Sequence, residues 1–219
     1  SRNAKRKRPS DMLWAWSIFM KQLKERHDDE KATLIMHTDP QDGEGPNLFS
    51  VVEMLGIKDS VVFSNERVEF DNMNALHNVA DVTINTSYAE GFGLSTLEAM
   101  QTATPIIAPT TGGLTRQVVD HRDGTENGVA LPIEYQSMVG SQMVPFIYED
   151  YVSAPSMANA IMKVYEWGPD GRAEVGKKAR EYVLSEFSHQ RTIDLWHDTL
   201  TDLTDNWRQR YRAWDCEVI

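Results

Sequence analysis

The sequence predicts an α/β fold: a parallel sheet with helices on both faces, followed by a group of helices. Three observations predict it. Short apolar runs alternate with helical segments of about ten residues from position 32 to position 131, the rhythm of right-handed βαβ units. Several of those runs, such as Pro105 to Ala108, are apolar almost throughout, as a strand covered on both faces requires. Beyond Pro132 the alternation stops and long helical periodicities take over.

Taken in order, Ser10 is a suitable N-cap with Asp11 in the first turn, where the helix dipole favours an anion. Leu13, Trp14, Ile18 and Leu23 then recur at helical spacing. Ala32 to His37 has strand length, and Asp39 to Pro46 is a loop rich in Gly, Pro and Asp. Leu48 to Leu55 is a helix stopped by Gly56. Val61 to Phe63 is a short strand, and Asp71 to Ala80 is a helix with Leu76 and Val79 on its inner face. Asp81 to Thr86 is a strand, Gly93 to Thr102 a helix and Pro105 to Ala108 a strand. Gly113 to Val119 is a helix and Gly128 to Leu131 a strand. Ile133 to Val152, irregular, aromatic and rich in Met, reads as a long loop or insertion. Ser156 to Trp167 and Asp170 to Phe187 are helices. His189 to about Arg212 is a long amphipathic helix capped by Ser188, with Trp196, Leu200, Leu203 and Trp207 on one stripe. That stripe, with Trp214 beyond it, packs either on the same domain or against another one. The expected organisation is one domain over 1–187, containing the 133–152 insertion, and a C-terminal helical segment over 188–219.

Composition narrows the function. The 219 residues carry a net charge of −11, which disfavours general binding to nucleic acid. No apolar run is long enough to span a bilayer, and no secretory signal is visible. Cys216 stands alone, so neither an internal disulfide nor a cysteine-clustered zinc site can form; a cytoplasmic protein is expected. The histidines lack metal-ligand spacing, His121 and His189 reading as surface residues. One local exception to the acidity is Arg2, Lys5, Arg6, Lys7 and Arg8, which form either a solvated arm or an anion site.

The chemistry concentrates between Asp81 and Val119. A strand ending near Thr86 leads into Glu90, Gly91, Phe92 and Gly93, and a helix begins at once. A glycine-rich turn at a helix N-terminus, beside the C-terminal end of a parallel strand, suits an anionic ligand, because free backbone N–H groups and the helix dipole converge there. Glu90 and Glu98, eight positions apart, can face the same crevice. Two carboxylates beside a phosphate make sense if they accept hydrogen bonds from sugar hydroxyls, and a nucleotide sugar has hydroxyls at both ends. The basic run would then neutralise the phosphates between them.

The run EGFGLSTLEAM at 90–100, followed by TPIIA at 104–108 and the Gly112–Gly113 pair, resembles the signature of glycosyltransferase family 4. These are retaining enzymes of the GT-B architecture, in which two Rossmann-like domains close over the donor. Residues 1–9, SRNAKRKRP, are similar to the family's opening loop, and the resemblance extends over about residues 1–132. It implies that this chain is the C-terminal, donor-binding half. It implies that Arg2 and Lys7 bind the diphosphate and stabilise the charge that builds there as the sugar leaves. By the same resemblance Glu90 holds hydroxyls of the transferred sugar, Gly91, Phe92, Gly93 and Leu94 lie at the donor, and Glu98 binds the ribose. The turn around Val68 would meet the nucleobase. Phe92 is equally well placed as packing, the Gly112–Gly113 pair equally well as a plain turn, and Lys5, Arg6 and Arg8 as solvated or structural groups.

The implied substrate is a nucleotide diphosphate sugar, with no separate cofactor. The sequence contains no Asp-x-Asp, in agreement with a metal-independent donor site, and no Walker loop. The acceptor would be a sugar or lipid-linked molecule, and the full-length enzyme admits peripheral membrane association. Residue 1 already falls in the loop after the expected first strand, so that strand and the acceptor-binding N-terminal domain are expected to be missing. Such a fragment would transfer poorly or not at all. The competing readings are a non-catalytic nucleotide-sugar-binding module and a nucleotide-sugar 2-epimerase.

Overall fold

The computed structural model describes residues 2–69 and 72–212; Asp71, Trp214 and Cys216, named above, lie outside them. The chain begins with a 3-10 turn at Lys5–Lys7 and helix α1 at Pro9–His27. Pro9 rather than Ser10 opens α1, and Arg8, left-handed at φ 53°, takes the cap position. Proline with its fixed φ and no N–H suits a first helical position, so the side-chain cap expected of Ser10 is not needed. The buried face of α1 is Met12, Leu13, Ala15, Trp16, Phe19 and Leu23, while Trp14 is half-exposed. Trp16 goes inward because its indole N–H finds the Ser60 hydroxyl at 2.9 Å.

Strand β1 (Leu34–His37), helix α2 (Leu48–Leu55), strand β2 (Val61–Ser64) and helix α3 (Met73–Val79) follow. Asn47 caps α2 and Gly56 ends it in the left-handed conformation. Next come β3 (Thr83–Ile84), α4 (Leu94–Gln101), β4 (Ile106–Pro109), a 3-10 turn at Gly112–Leu114 leading into the one-turn α5 (Thr115–Val118), and β5 (Gly128–Leu131). Adjacent strands pair in parallel, Leu34 with Val61, Thr83 with Ile106, and Ile106 with Gly128.

Residues of β4 and β5 alternate between two cores. Ile107, Val129 and Leu131 join α1, α2 and α6 (Ala154–Glu166) on one face, and Ile106, Ala108 and Ala130 join α4, α5 and α7 (Gly168–Glu186) on the other. Helices therefore cover both faces, as the alternating sequence predicts. On the second face α7 lies against the turn after α4. A Cβ on Gly176 would stand 1.9 Å from the Ala103 carbonyl oxygen, and Ala103 itself has φ 60°.

The parallel strands do not form one continuous sheet. β1 and β2 form one piece and β3, β4 and β5 another. A cavity of about 680 Å³ separates β1 from β3, walled by Thr33–Thr38 on one side and Val82–Ser87 on the other. The cavity explains a correction on α3: Leu76 is half-buried and Val79 exposed along the cavity wall, while His77 is the buried residue.

Residues 133–152 are not an irregular loop. They form an antiparallel hairpin, β6 (Tyr135–Val139) with β7 (Ile147–Tyr151), in register from Tyr135↔Tyr151 to Val139↔Ile147. Its outer side shows Met138, Phe146 and Tyr148 to solvent, and this apolar exposure, without the alternation of a one-sided strand, hides the hairpin from the pattern. Helix α8 (His189–Arg210) starts at Ser188, whose side chain caps it as predicted. Every residue from His189 to Asp205 is exposed, and the stripe Trp196, Leu200, Leu203 and Trp207 does not pack on the domain core. Among the described residues no helix is long and apolar enough to cross a membrane.

The turn before β5 is organised by the buried Asp120, whose carboxylate accepts from the Arg122 backbone at 2.9 Å and from its guanidinium at 2.7 Å. The Arg122 hydrogen bonds hold Asp120 below the ordinary carboxylate pKa. A depressed folded-state pKa contributes stability above the unfolded value of about 4 and loses it as pH falls through the folded value. Asp120→Asn is expected to lower stability at pH 7 by about 1 kcal/mol, the half-exposed Arg122 limiting the effect. It should also shrink the difference between denaturant unfolding at pH 7 and at pH 3, and an unchanged difference would exclude Asp120 as a source of acid sensitivity.

Candidate functional site

The C-terminal ends of β1 and β3 open toward the basic N-terminal loop, the glycine loop before α4 and α4 itself. Arg2, Lys7, Ser95 and Glu98 line the cavity there. Lys7 forms an ion pair with Glu90, both side chains mostly buried, and Arg6 reaches the same Glu90 oxygen at 3.4 Å. Ser87 Oγ donates to it from 3.4 Å as well. The basic run therefore meets the glycine loop at Glu90, and Arg6, read from sequence as solvated or structural, contacts Glu90 directly. Arg8 is structural: it pairs with Asp11 at 2.7 Å and donates to the Val152 carbonyl at 3.1 Å.

Arg2 lies on the far wall. Its guanidinium donates to Asp42 at 2.7 Å and approaches Glu44 at 3.4 Å, from the Gly- and Asp-rich loop. That hydrogen bond holds the Asp42 carboxyl below its usual pKa. Asn3, fully buried, ties the same loop by donating to the Pro46 carbonyl at 2.9 Å.

The glycine loop is held from behind. Gly113 N–H donates to the Glu90 carbonyl at 3.1 Å, and Gln117 donates to the Phe92 carbonyl at 2.7 Å. Gly112 sits at φ 47°, and a Cβ there would stand 2.2 Å from the Glu90 carbonyl oxygen. Only glycine permits both the left-handed backbone and this approach, so the Gly112–Gly113 pair serves as the backstop that sets the Glu90 backbone. Gly93 caps α4 in the left-handed region, aiming the N-terminus of that helix at the cavity mouth. Phe92 packs edge-on against Phe187 with ring centres 5.8 Å apart and keeps part of its surface exposed. Leu94 begins α4 and is exposed.

Glu98 faces the cavity from the second turn of α4, with His77 Nε2 3.4 Å from its carboxylate. His77 was not predicted. Its buried ring on α3 meets Glu98 across 21 residues, beyond any local pattern. Val68 follows β2, half-buried, and is not among the residues that line the cavity. The arrangement brings Arg2, Lys7 and Glu98 to one cavity and reaches Glu90 through Lys7. Cations and carboxylates at the carboxyl ends of parallel strands, beside a helix N-terminus, can hold a diphosphate and neighbouring hydroxyls.

The sequence pattern of the family described as Glycosyl transferases group 1 matches residues 6–141. The chain belongs to that family. A D-inositol 3-phosphate glycosyltransferase 2 of Catenulispora acidiphila is 37% identical over 82 residues, 37% of this chain and 19% of the relative. A trehalose synthase of Pyrococcus horikoshii is 28% identical over 131 residues, 60% of this chain and 26% of the relative. Among solved structures, sucrose-phosphate synthase of Thermosynechococcus elongatus superimposes with a TM-score of 0.62 at 23% identity, covering 95% of this chain and 43% of that one. The C-terminal domain of the group 1 protein LpcC of Francisella tularensis gives 0.62 at 18% identity, covering 86% and 83%. Anabaena HepE in complex with UDP-glucose gives 0.66 at 19% identity, covering 93% and 47%. The fold of this group 1 glycosyltransferase chain is that of the GT-B C-terminal domain. The chain spans well under two thirds of the length of the curated relatives it matches.

Proposed function

We propose that this chain is the donor-binding half of a retaining glycosyltransferase that moves a hexose from a nucleotide diphosphate sugar to a sugar or lipid-linked acceptor. The observation that carries the reading is the convergence of Arg2, Lys7 and Glu98 on one cavity, with Lys7 paired to Glu90 of the glycine loop. The complex of the similarly folded HepE with UDP-glucose supports the donor class. In this reading the Lys7–Glu90 pair is exchanged when the donor arrives. Lys7 turns to the diphosphate, Glu90 accepts from sugar hydroxyls, and Glu98 accepts from the ribose. Val68 would lie toward the nucleobase. As the glycosidic bond breaks, negative charge grows on the leaving diphosphate, and Lys7 and Arg2 stabilise it where it develops. The acceptor hydroxyl oxygen bonds to the anomeric carbon from the face the diphosphate leaves, and its proton passes to the departing diphosphate oxygen. No resident cofactor or metal enters this chemistry. The single cysteine fits a reducing cytoplasmic setting.

The acceptor side would come from a second, N-terminal domain, and the exposed stripe of α8 is a docking face suited to it. The chain by itself is then expected to bind donor and to transfer poorly.

Calorimetric titration with UDP, GDP, ADP, UDP-glucose and GDP-mannose tests the donor site. Binding confined to one base class is expected. Glu98→Ala should weaken that binding by about 1–3 kcal/mol through lost charged hydrogen bonds. Equal affinity in the variant would overturn the ribose role, and a folded wild-type chain that binds none of the five would overturn the donor reading.

A further inference from the structure

The β6–β7 hairpin has no part in the donor chemistry as described, yet Asp150 ties it to the donor loop by its backbone and to Thr111 beside the glycine pair by its side chain. The backbone N–H of Asp150 donates to the Tyr88 carbonyl at 2.9 Å. Its carboxylate accepts from the Thr111 hydroxyl at 2.5 Å and from the Gln136 amide at 2.6 Å. Tyr88 opens the loop that carries Glu90, and its own N–H donates to the Arg6 carbonyl at 3.2 Å. Thr111, buried, immediately precedes the Gly112–Gly113 backstop. Three segments of the site thus meet at Asp150 or one bond away: the basic loop, the Glu90 loop and the glycine pair.

The rest of the hairpin base is built to keep Asp150 in place. Tyr151 stacks on Tyr135 with ring centres 5.0 Å apart and meets Tyr88 at 5.4 Å. The Arg8 guanidinium lies 5.1 Å over the Tyr151 ring while donating to Val152. The Tyr151 hydroxyl donates to Glu149 at 2.6 Å, and that bond pushes its pKa up to about 12, so it stays a donor at every physiological pH.

We propose that Asp150 is a positioning residue for the transferred sugar, holding Thr111 and Tyr88 so that the Gly112–Gly113 pair fixes the Glu90 loop. This rests on the donor reading above. The geometry makes it selective. Asp150 acts on the side of the site assigned to the sugar, through Glu90, whereas Glu98 on α4 and Arg2 on the opposite wall have no hydrogen bond to it. Loss of the Asp150–Thr111 bond frees the glycine pair from Glu90 and leaves the nucleotide contacts standing.

The readout is the ratio of affinities for nucleotide sugar and nucleoside diphosphate, measured with UDP-glucose against UDP and with GDP-mannose against GDP. Asp150→Ala is expected to lower the ratio about tenfold, with nucleoside diphosphate affinity changed less than about threefold. Thr111→Val removes the other partner of the same bond and should lower the ratio equally, and the double variant should do no worse than either alone. Asp150→Asn, which keeps an acceptor for Thr111, should restore the ratio. If Asp150→Ala does not fold, Thr111→Val alone decides. A ratio unchanged in folded variants of a wild-type chain that binds donor overturns the positioning role and leaves the donor reading intact. A wild-type chain that binds neither ligand overturns both.

Discussion

Gly176→Ala is expected to destabilise the chain by about 2–4 kcal/mol, although alanine is the better helix former by about 1 kcal/mol. Gly176 lies within α7, so propensity alone predicts a gain. The contact decides the sign. The new methyl carbon would stand 1.9 Å from the Ala103 carbonyl oxygen and 3.3 Å from Pro105 Cδ. Neither neighbour can retreat easily. Ala103 is left-handed and hydrogen-bonded back to Met100, and Pro105 leads straight into β4. Helix α7 would have to move off α4 and loosen the core of Ala99, Met100, Ala179 and Val183. Denaturant unfolding measures the loss, and a stabilised variant would mean that α7 and α4 are not so closely apposed.

Lys7→Ala is expected to weaken nucleoside diphosphate binding by about 2–4 kcal/mol, roughly 30- to 1000-fold. Two effects add. The cation assigned to the diphosphate is lost, and Glu90, almost buried, is left with Arg6 at 3.4 Å as its remaining charged partner beside an incoming anion. Arg2→Ala should cost clearly less, because Arg2 is 60% exposed and already engaged by Asp42 and Glu44. Calorimetry on both variants gives the comparison. Equal small losses would place the diphosphate elsewhere.

What could be read in advance was what short-range chemistry fixes. Gly56 ends α2 and Ser188 begins α8 because a cap acts over one turn. The Glu90 loop is legible because glycine, acid and helix start lie within a few residues of one another. The misreadings sit where a distant partner decides. Periodicity cannot choose between Trp14 and Trp16, and Ser60 does, from 44 residues away. The hairpin depends on Tyr135 finding Tyr151, and its Met-rich tip masks the alternation. Asp42 on Arg2 and His77 beside Glu98 are likewise meetings of separate segments. The parting of the sheet between β1 and β3 is a property of no single segment at all.

Helix α8 carries a thermodynamic consequence. At 22 residues it is about 33 Å long, yet every residue from His189 to Asp205 is exposed. Its hydrogen bonds are then protected by little more than helix–coil equilibrium, which is marginal for an isolated helix in water. Amides of α8 should exchange with solvent orders of magnitude faster than those of β4 and β5. Ellipticity at 222 nm should begin to fall at temperatures where near-ultraviolet signals of the buried aromatics still hold. Unfolding of this chain would accordingly be two events, one local and one global, and a single free energy fitted to helical content would describe neither.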